Sequence, residues 1–159
     1  MGRHPISTSY ITPIKSDGVV QVESATEFGR GAFTLASGTT YFYPLGGQDS
    51  PFLSAHCQWD ASIIITSITL EDCNFPDGTS GVEWHDDAAG EWIDEDPTSA
   101  FVGTDGAGVT VTNGVVAVAG GAQGGCLFHM ADTGARRTRL KVVVGGTGGE
   151  MRVAAWAKE

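Results

Sequence analysis

The histidines are the first side chains to consider for chemistry, because imidazole titrates near neutral pH and is a common metal ligand. The chain has four of them: His4, His56, His85 and His129. Their spacing forms no HxH, HExxH or i, i+4 pair with a carboxylate that would suit zinc or a general base. A GxSxG elbow, a P-loop and a GxGxxG followed by a helix are also missing from the sequence. We therefore predict no catalytic, cofactor-binding or metal-binding residues, and a protein that is not an enzyme.

Acidic side chains are concentrated between Glu71 and Pro97, a segment without Lys or Arg. Carboxylates are the ligands that Ca²⁺ prefers, but their spacing here matches no EF-hand loop. A pair of them could also hydrolyse a glycosidic bond, although nothing in the pattern selects such a pair. A solvated or partner-facing acidic surface is the better interpretation. The acidic residues are Glu71, Asp72, Asp77, Glu83, Asp86, Asp87, Glu91, Asp94, Glu95 and Asp96.

Basic side chains are concentrated elsewhere, since six of the nine Lys and Arg residues lie at or after residue 136. Complementary acidic and basic regions can set the register between copies of an oligomer, although pairing within one chain would give the same pattern. We favour a neighbouring subunit as the acidic partner. The candidate interface then consists of Arg136, Arg137, Arg139, Lys141 and Arg152 against Asp86, Asp87, Asp94, Glu95 and Asp96.

Two tryptophans, Trp84 and Trp92, flank the acidic segment and are candidate aromatic contacts. Exposed indole rings would suit stacking against a sugar. Aromatic side chains also commonly fix an irregular segment onto a sheet, and packing is the favoured interpretation of the two.

The three cysteines, Cys57, Cys73 and Cys126, form no CxxC pair and are odd in number. This is poor spacing for zinc or for a disulfide framework, so we predict buried, reduced thiols. Assembly in a reducing cytoplasm fits that usage. If a bridge does form, Cys57 with Cys73 is the pair that the sequence favours.

The composition of the chain limits the kinds of partner that it is expected to bind. The net charge of −10 would repel a phosphate backbone, so we expect no nucleic-acid binding. No stretch approaches the roughly 20 apolar residues of a membrane helix, and residues 1–10 lack a hydrophobic signal core, so we expect no membrane association.

The elements that must position these residues are predicted to be strands. Residues 1–18 have no sustained period and are interpreted as an extended N-terminal arm, dispensable for folding, before a single domain at 19–159. Short β-prone segments bounded by Gly, Pro, Ser or Asp follow. We predict an all-β fold, an antiparallel β-sandwich that is jelly-roll-like. The predicted strands are 19–22, 32–35, 39–43, 52–59, 62–70, 100–102, 108–112, 115–119, 126–130, 138–144 and 150–156.

Two hairpins are predicted within this pattern. Asn113-Gly114 joins two alternating runs, and both residues tolerate the positive φ of a type I′ turn. Strands 138–144 and 149–156 are predicted to pair through a loop at 145–148, with Val142 opposite Met151. That register places Arg139, Lys141 and Arg152 on one face.

Several stretches are similar to a group of small phage virion proteins. The similar residues are 54–60 (SAHCQWD), 65–76 (ITSITLEDCNFP), 92–97 (WIDEDP), 100–103 (AFVG), 137–142 (RTRLKV) and 152–153 (RV). The resemblance implies a jelly-roll-like capsid decoration (cement) protein that is a homotrimer and binds the phage major capsid protein. It implies a place on the capsid surface of the virion and no enzyme activity. The alternative is a receptor- or carbohydrate-binding module of a phage tail or fibre.

Overall fold

The computed structural model describes residues 6–23, 29–47, 52–76, 82–94, 100–130 and 137–158. These residues form thirteen strands and no helix. In chain order the strands are β1 (Ile6–Tyr10), β2 (Ile14–Lys15), β3 (Phe33–Leu35), β4 (Thr40–Gly47), β5 (Phe52–Trp59), β6 (Ile65–Cys73), β7 (Ile93–Asp94), β8 (Ala100–Asp105), β9 (Val109–Thr112), β10 (Val115–Val118), β11 (Gly124–Met130), β12 (Arg137–Val144) and β13 (Gly149–Lys158).

The strands form two antiparallel sheets. Sheet A has the order β1-β13-β5-β11-β8, with β3 also paired to β13. Sheet B has the order β2-β4-β12-β6-β10-β9, with β7 also paired to β6. The predicted all-β antiparallel sandwich is therefore confirmed, while the finer jelly-roll topology stays a prediction.

One apolar core lies between the two sheets. Alternate residues of each strand point to the same face, so every second side chain enters this core. Trp59 and Phe128 enter it from sheet A, and Ile68, Leu140 and Val142 enter it from sheet B, all fully buried. The residues between them in sequence face outwards, and the two outer faces are where partners can bind.

The predicted Asn113-Gly114 hairpin is confirmed. Thr112 pairs with Val115, and the two turn residues have φ values of 49° and 75°. Positive φ at both positions is what a type I′ turn requires.

The predicted C-terminal hairpin is wrong, because its two strands lie in opposite sheets. Val142 pairs with Ile68 and Tyr41 in sheet B, whereas Met151 pairs with Trp59 and Phe33 in sheet A. Residues 145–148 cross the edge of the sandwich instead of closing a hairpin. Inward-facing residues satisfy the same alternation whether two strands pair side by side or face each other across a core, so the pattern could not separate these arrangements.

The crossing depends on close backbone approach at its two ends. Gly145 donates its N–H to the carbonyl of Ile64 at 2.8 Å. A Cβ at Gly149 would lie 2.5 Å from Ser62 Oγ and 2.6 Å from Asp60 Oδ1. A side chain at Gly149 would therefore have to displace Ser62 or Asp60, whose side chains hydrogen-bond the Gly148 carbonyl and the Glu150 N–H.

The segment predicted as an extended arm contributes strands to both sheets. Ile6–Tyr10 pairs with β13 over five residues, and Ile14–Lys15 pairs with β4. Ile11 packs against the core, and its N–H donates to the carbonyl of Val153 at 2.8 Å. The predicted strand at 19–22 is wrong, since only Val20 makes an isolated bridge, to Ile14.

Candidate functional site

The basic residues of the predicted interface do not share one face. Arg137, Arg139 and Lys141 alternate along β12 and lie on the outer face of sheet B, whereas Arg152 lies on β13 in sheet A. The predicted grouping of Arg139, Lys141 and Arg152 is therefore wrong, because it depended on the hairpin that does not form. Arg136 lies outside the described residues.

A covering segment, residues 82–94, lies over the outer face of sheet B and contains the acidic side chains that meet β12. Arg139 beneath it is fully buried. Its Nε donates to Glu71 Oε1 at 2.9 Å, and its Nη1 donates to the carbonyls of Trp84 and Asp86 at 3.0 and 2.7 Å. The charge of Arg139 is therefore paired and hydrogen-bonded within the chain.

Two aromatic rings enclose the same guanidinium. Arg139 Cζ lies 4.1 Å from the ring centroid of Phe42 and 4.1 Å from that of Trp92. Arg137 Cζ lies 5.0 Å from Trp92 and 5.1 Å from Trp84. Desolvated cation–π contacts of this kind contribute about 2 kcal/mol or more. The arginines and aromatic rings therefore fix the covering segment onto sheet B.

The candidate aromatic contacts belong to this layer. Trp92 is buried and Trp84 is half-buried, and their ring centroids are 5.4 Å apart at an interplanar angle of 39°. Trp92 Nε1 donates to the carbonyl of Glu83 at 3.3 Å. Packing was the favoured interpretation of these two tryptophans, and it is confirmed.

Acidic side chains of the same chain pair with the basic residues of β12. Asp87 Oδ1 lies 3.3 Å from Arg139 Nη2, and its Oδ2 lies 2.6 Å from Lys141 Nζ. Asp86 Oδ2 accepts the N–H of Glu83 at 2.7 Å. The pairing within one chain that the sequence left open is therefore present, and the favoured pairing between subunits stays a prediction. Asp94 belongs to β7 and pairs with Glu71 on β6, while Glu95 and Asp96 lie outside the described residues.

Burial changes the titration of the central ion pair. It raises the pKa of Glu71, and the charge and hydrogen bond of Arg139 lower that pKa part of the way back. Burial also lowers the pKa of Arg139, with Glu71 acting in the opposite direction. Both shifts have the same cause, which is the low polarity beneath the covering segment.

The cysteines are free and buried, as the sequence predicted. The bridge considered between Cys57 and Cys73 has no basis in the fold, because Cys57 lies in the main core and Cys73 under the covering segment. Cys57 is instead the direct cross-strand partner of Cys126. A hydrogen bond with Cys126 and burial together raise the pKa of the Cys57 thiol well above its usual value.

The outer face of sheet A carries a groove. Its volume is about 640 Å³, within the range of roughly 300–1,000 Å³ typical of small-molecule sites. The floor and walls come from three neighbouring strands, β5, β8 and β11. Its lining residues include His56, Gln58, Gly103, Asp105, Gly125 and Leu127.

A smaller depression of about 150 Å³ adjoins this groove and shares His56 and Gln58 with it. Its other lining residues are Tyr10, Arg152 and Ala154. Gln58 is held in place because its Oε1 accepts a 2.8 Å hydrogen bond from Arg152 Nε. His56 and Gln58 therefore form a polar ridge between two hollows.

The sequence interpretation passed over this groove. His56 was predicted to lie in a strand, but its neighbours Gly103, Leu127 and Ala154 are about 50, 70 and 100 residues away in sequence, so only the register of sheet A brings them together. Glycines within strands β8 and β11 were the available signal. Glycine in a strand weakens it and often marks a place where a ligand approaches the backbone.

Among the described residues, no three His, Cys, Asp or Glu side chains are grouped so that they could hold a metal ion. No helix in the described part of the chain is long and apolar enough to cross a membrane. No protein-family model matches the chain, and no curated protein matches it significantly in sequence. The site must therefore be interpreted from its own geometry.

Proposed function

We propose that the protein is a structural component of a phage virion, a capsid decoration protein that binds the major capsid protein. It assembles as a homotrimer on the capsid surface, after synthesis in the host cytoplasm. The resemblance of residues 54–60, 65–76, 92–97, 100–103, 137–142 and 152–153 to phage virion proteins supports this, and so does the two-sheet β-sandwich. Free, buried thiols are compatible with assembly in a reducing compartment.

The observation that carries the proposal is an exposed apolar strip at one edge of sheet B. Val19, Val20 and Val22 are 56%, 60% and 88% exposed. They follow the edge strand β2, to which they are tied by the hydrogen bond from Lys15 N–H to the Val19 carbonyl at 2.9 Å. Clustered exposed apolar side chains mark protein interaction sites.

This strip is a better attachment surface than the charged residues, whose ion pairs lie within one chain. Burying a valine side chain completely contributes at least about 1.5 kcal/mol. Three valines per subunit therefore supply a few kcal/mol, and a trimer that engages three capsid sites at once multiplies that weak contact. Apolar contact strengthened by avidity suits a protein that must stay bound across many equivalent lattice positions.

The test is co-sedimentation with capsids that lack this protein. Val20→Asp combined with Val22→Asp should weaken binding at least about tenfold, equivalent to about 1.4 kcal/mol. The matched control is Val111→Asp, because Val111 is 43% exposed on β9, at the opposite edge of the same sheet. Equal binding by the double variant and the wild type would contradict the proposed surface.

Two further measurements address the virion assignment itself. Mass spectrometry of purified phage particles should detect the chain, and analytical ultracentrifugation should show a trimer. A chain missing from the particles, or a strict monomer at micromolar concentration that ignores added capsids, would refute the decoration role.

A further inference from the structure

Small outward-facing residues form the floor of the groove on sheet A. The register of the sheet places Gly103, Leu127, His56 and Ala154 side by side across β8, β11, β5 and β13. Two positions along, Gly125 pairs with Gln58 and Asp105. The β11–β5 and β11–β8 pairings have no register shift, so Gly103 and Gly125 do not form β-bulges. Gly103 leaves a hollow that a larger side chain would fill, whereas a Cβ at Gly125 would lie 2.7 Å from the carbonyl oxygen of Cys57.

Gly103 gives the clearest sign of unused space. A Cβ built there would meet no atom within 4 Å, and the backbone φ is not in the left-handed region. Neither sterics nor conformation requires glycine at this position. Because glycine within a strand costs roughly 0.5–1 kcal/mol relative to alanine, the hollow itself is the feature that explains it.

The polar groups around the hollow form a mixed set of hydrogen-bond donors and acceptors. Gln58 and His56 each offer both kinds, Asp105 is an acceptor on one side, and Arg152 is a donor on the other. One carboxylate and one guanidinium leave the lining balanced in charge. Such a lining suits a neutral polyhydroxylated ligand better than a phosphate or another anion, which the net charge of −10 also disfavours.

Two exposed aromatic rings flank the polar ridge. Tyr10, 46% exposed, lies beside Ala154 on the row of His56. Trp156, 40% exposed, is two residues beyond Ala154 on β13 and on the same face. The Cα atoms of Ala154 and Trp156 are therefore about 7 Å apart. Aromatic faces pack against the C–H face of a pyranose while nearby polar groups bind its hydroxyls. Trp156 is therefore close to His56, one strand away on β5, whereas Asp105 on β8 lies about 20 Å from Trp156.

We propose that this groove binds a neutral saccharide of one or two pyranose units, with His56 and Gln58 as hydroxyl ligands and Trp156, which lies beside the row of His56, as the stacking platform. The site differs from the sugar platform considered at Trp84 and Trp92, whose rings pack on arginines. It does not depend on capsid attachment, because it lies on the other sheet from the exposed valines.

Saturation-transfer difference NMR on the full chain tests the proposal. The probes are the methyl glycosides of glucose, galactose, rhamnose and N-acetylglucosamine, together with cellobiose and lactose, at millimolar concentration. At least one sugar should receive saturation from the protein. Trp156→Ala should lower its affinity at least about tenfold, or about 1.4 kcal/mol.

A variant that fills the groove tests the proposal without removing any side chain that would contact the sugar. Gly103→Trp should fill the groove without backbone strain and abolish saturation transfer, while the circular dichroism spectrum stays that of the wild type. Gly146→Trp is the matched control, since Gly146 also has open space around it but lies in the crossing at 145–148. Ile93→Ala, an exposed apolar residue at sheet B, is the control for Trp156→Ala.

Two results would overturn the proposal. The first is the lack of transfer to every sugar of the panel. The second is transfer that persists unchanged in Gly103→Trp, which would place any sugar contact elsewhere on the surface. Both are distinct from failure of capsid binding, which is measured with different variants on the opposite sheet.

Discussion

The buried guanidinium of Arg139 gives the sharpest stability prediction. Replacing it by Met in Arg139→Met keeps an unbranched side chain between Phe42 and Trp92 but removes the charge and every hydrogen-bond donor. Glu71, only 4% exposed, would lose its cationic partner, and two backbone carbonyls of the covering segment would lose theirs.

The expected loss is large because one partner of a buried ion pair is left without the other. Such changes cost about 3–5 kcal/mol. A domain of this size has about 5–15 kcal/mol of stability in total, and each kcal/mol shifts its melting temperature by roughly 2–4 °C. We therefore expect Arg139→Met to lower the melting temperature by about 6–20 °C.

The assay is urea unfolding followed by tryptophan fluorescence. Lys141→Met is the matched control, since Lys141 reaches only Asp87, which is 44% exposed, and such a pair contributes at most about 1 kcal/mol. Adding Glu71→Gln to Arg139→Met should recover part of the loss, because the remaining buried charge is then neutral. The loss should also shrink as pH falls through the raised pKa of Glu71, because burial favours the neutral carboxyl and the variant lacks the Arg139 charge that opposes this.

The reasoning fails if Arg139→Met and Lys141→Met cost the same. It also fails if the cost of Arg139→Met does not depend on Glu71 or on pH. Either result would mean that the covering segment is held by its apolar contacts and not by the ion pair.

Three further predictions follow from the strands and the titrating groups. Deleting residues 1–16 removes β1 and β2 and should lower the melting temperature by at least about 5 °C; a melting temperature equal to that of the full chain would support the predicted dispensable arm. Burial raises the pKa of Asp72, so its contribution to stability is greatest at acid pH and falls as pH rises through that pKa. Asp72→Asn, which keeps the oxygen that accepts the Thr138 hydroxyl at 2.8 Å, should therefore stabilise at pH 7 and change nothing at pH 3; a stabilisation confined to pH 3 would contradict this. Thiol titration should find three reactive cysteines in denaturant and none in the native state, and a count of one would reveal a disulfide.

The sequence alone predicted what depends on local pattern. Alternating apolar residues predicted most of the strands, since the side-chain period of a strand is two wherever it lies. The Asn113-Gly114 turn followed from the φ preferences of those two residues. The buried thiols followed from the odd number of cysteines and from their spacing, which forms no CxxC pair. These properties require only neighbouring residues, so no tertiary information was needed.

Tertiary structure alone decided which strands are neighbours. Strands β12 and β13 satisfy the same alternation as partners in one sheet or as opposite walls of the core, and the crossing at residues 145–148 selects the second arrangement. In this arrangement Arg152 and Arg139 lie in different sheets, and Arg139 pairs with Asp87 of the covering segment. It also assembled the groove from β5, β8 and β11, whose residues are far apart in sequence. Contacts between distant segments depend on sheet order and register, and the period of a strand carries no information about either.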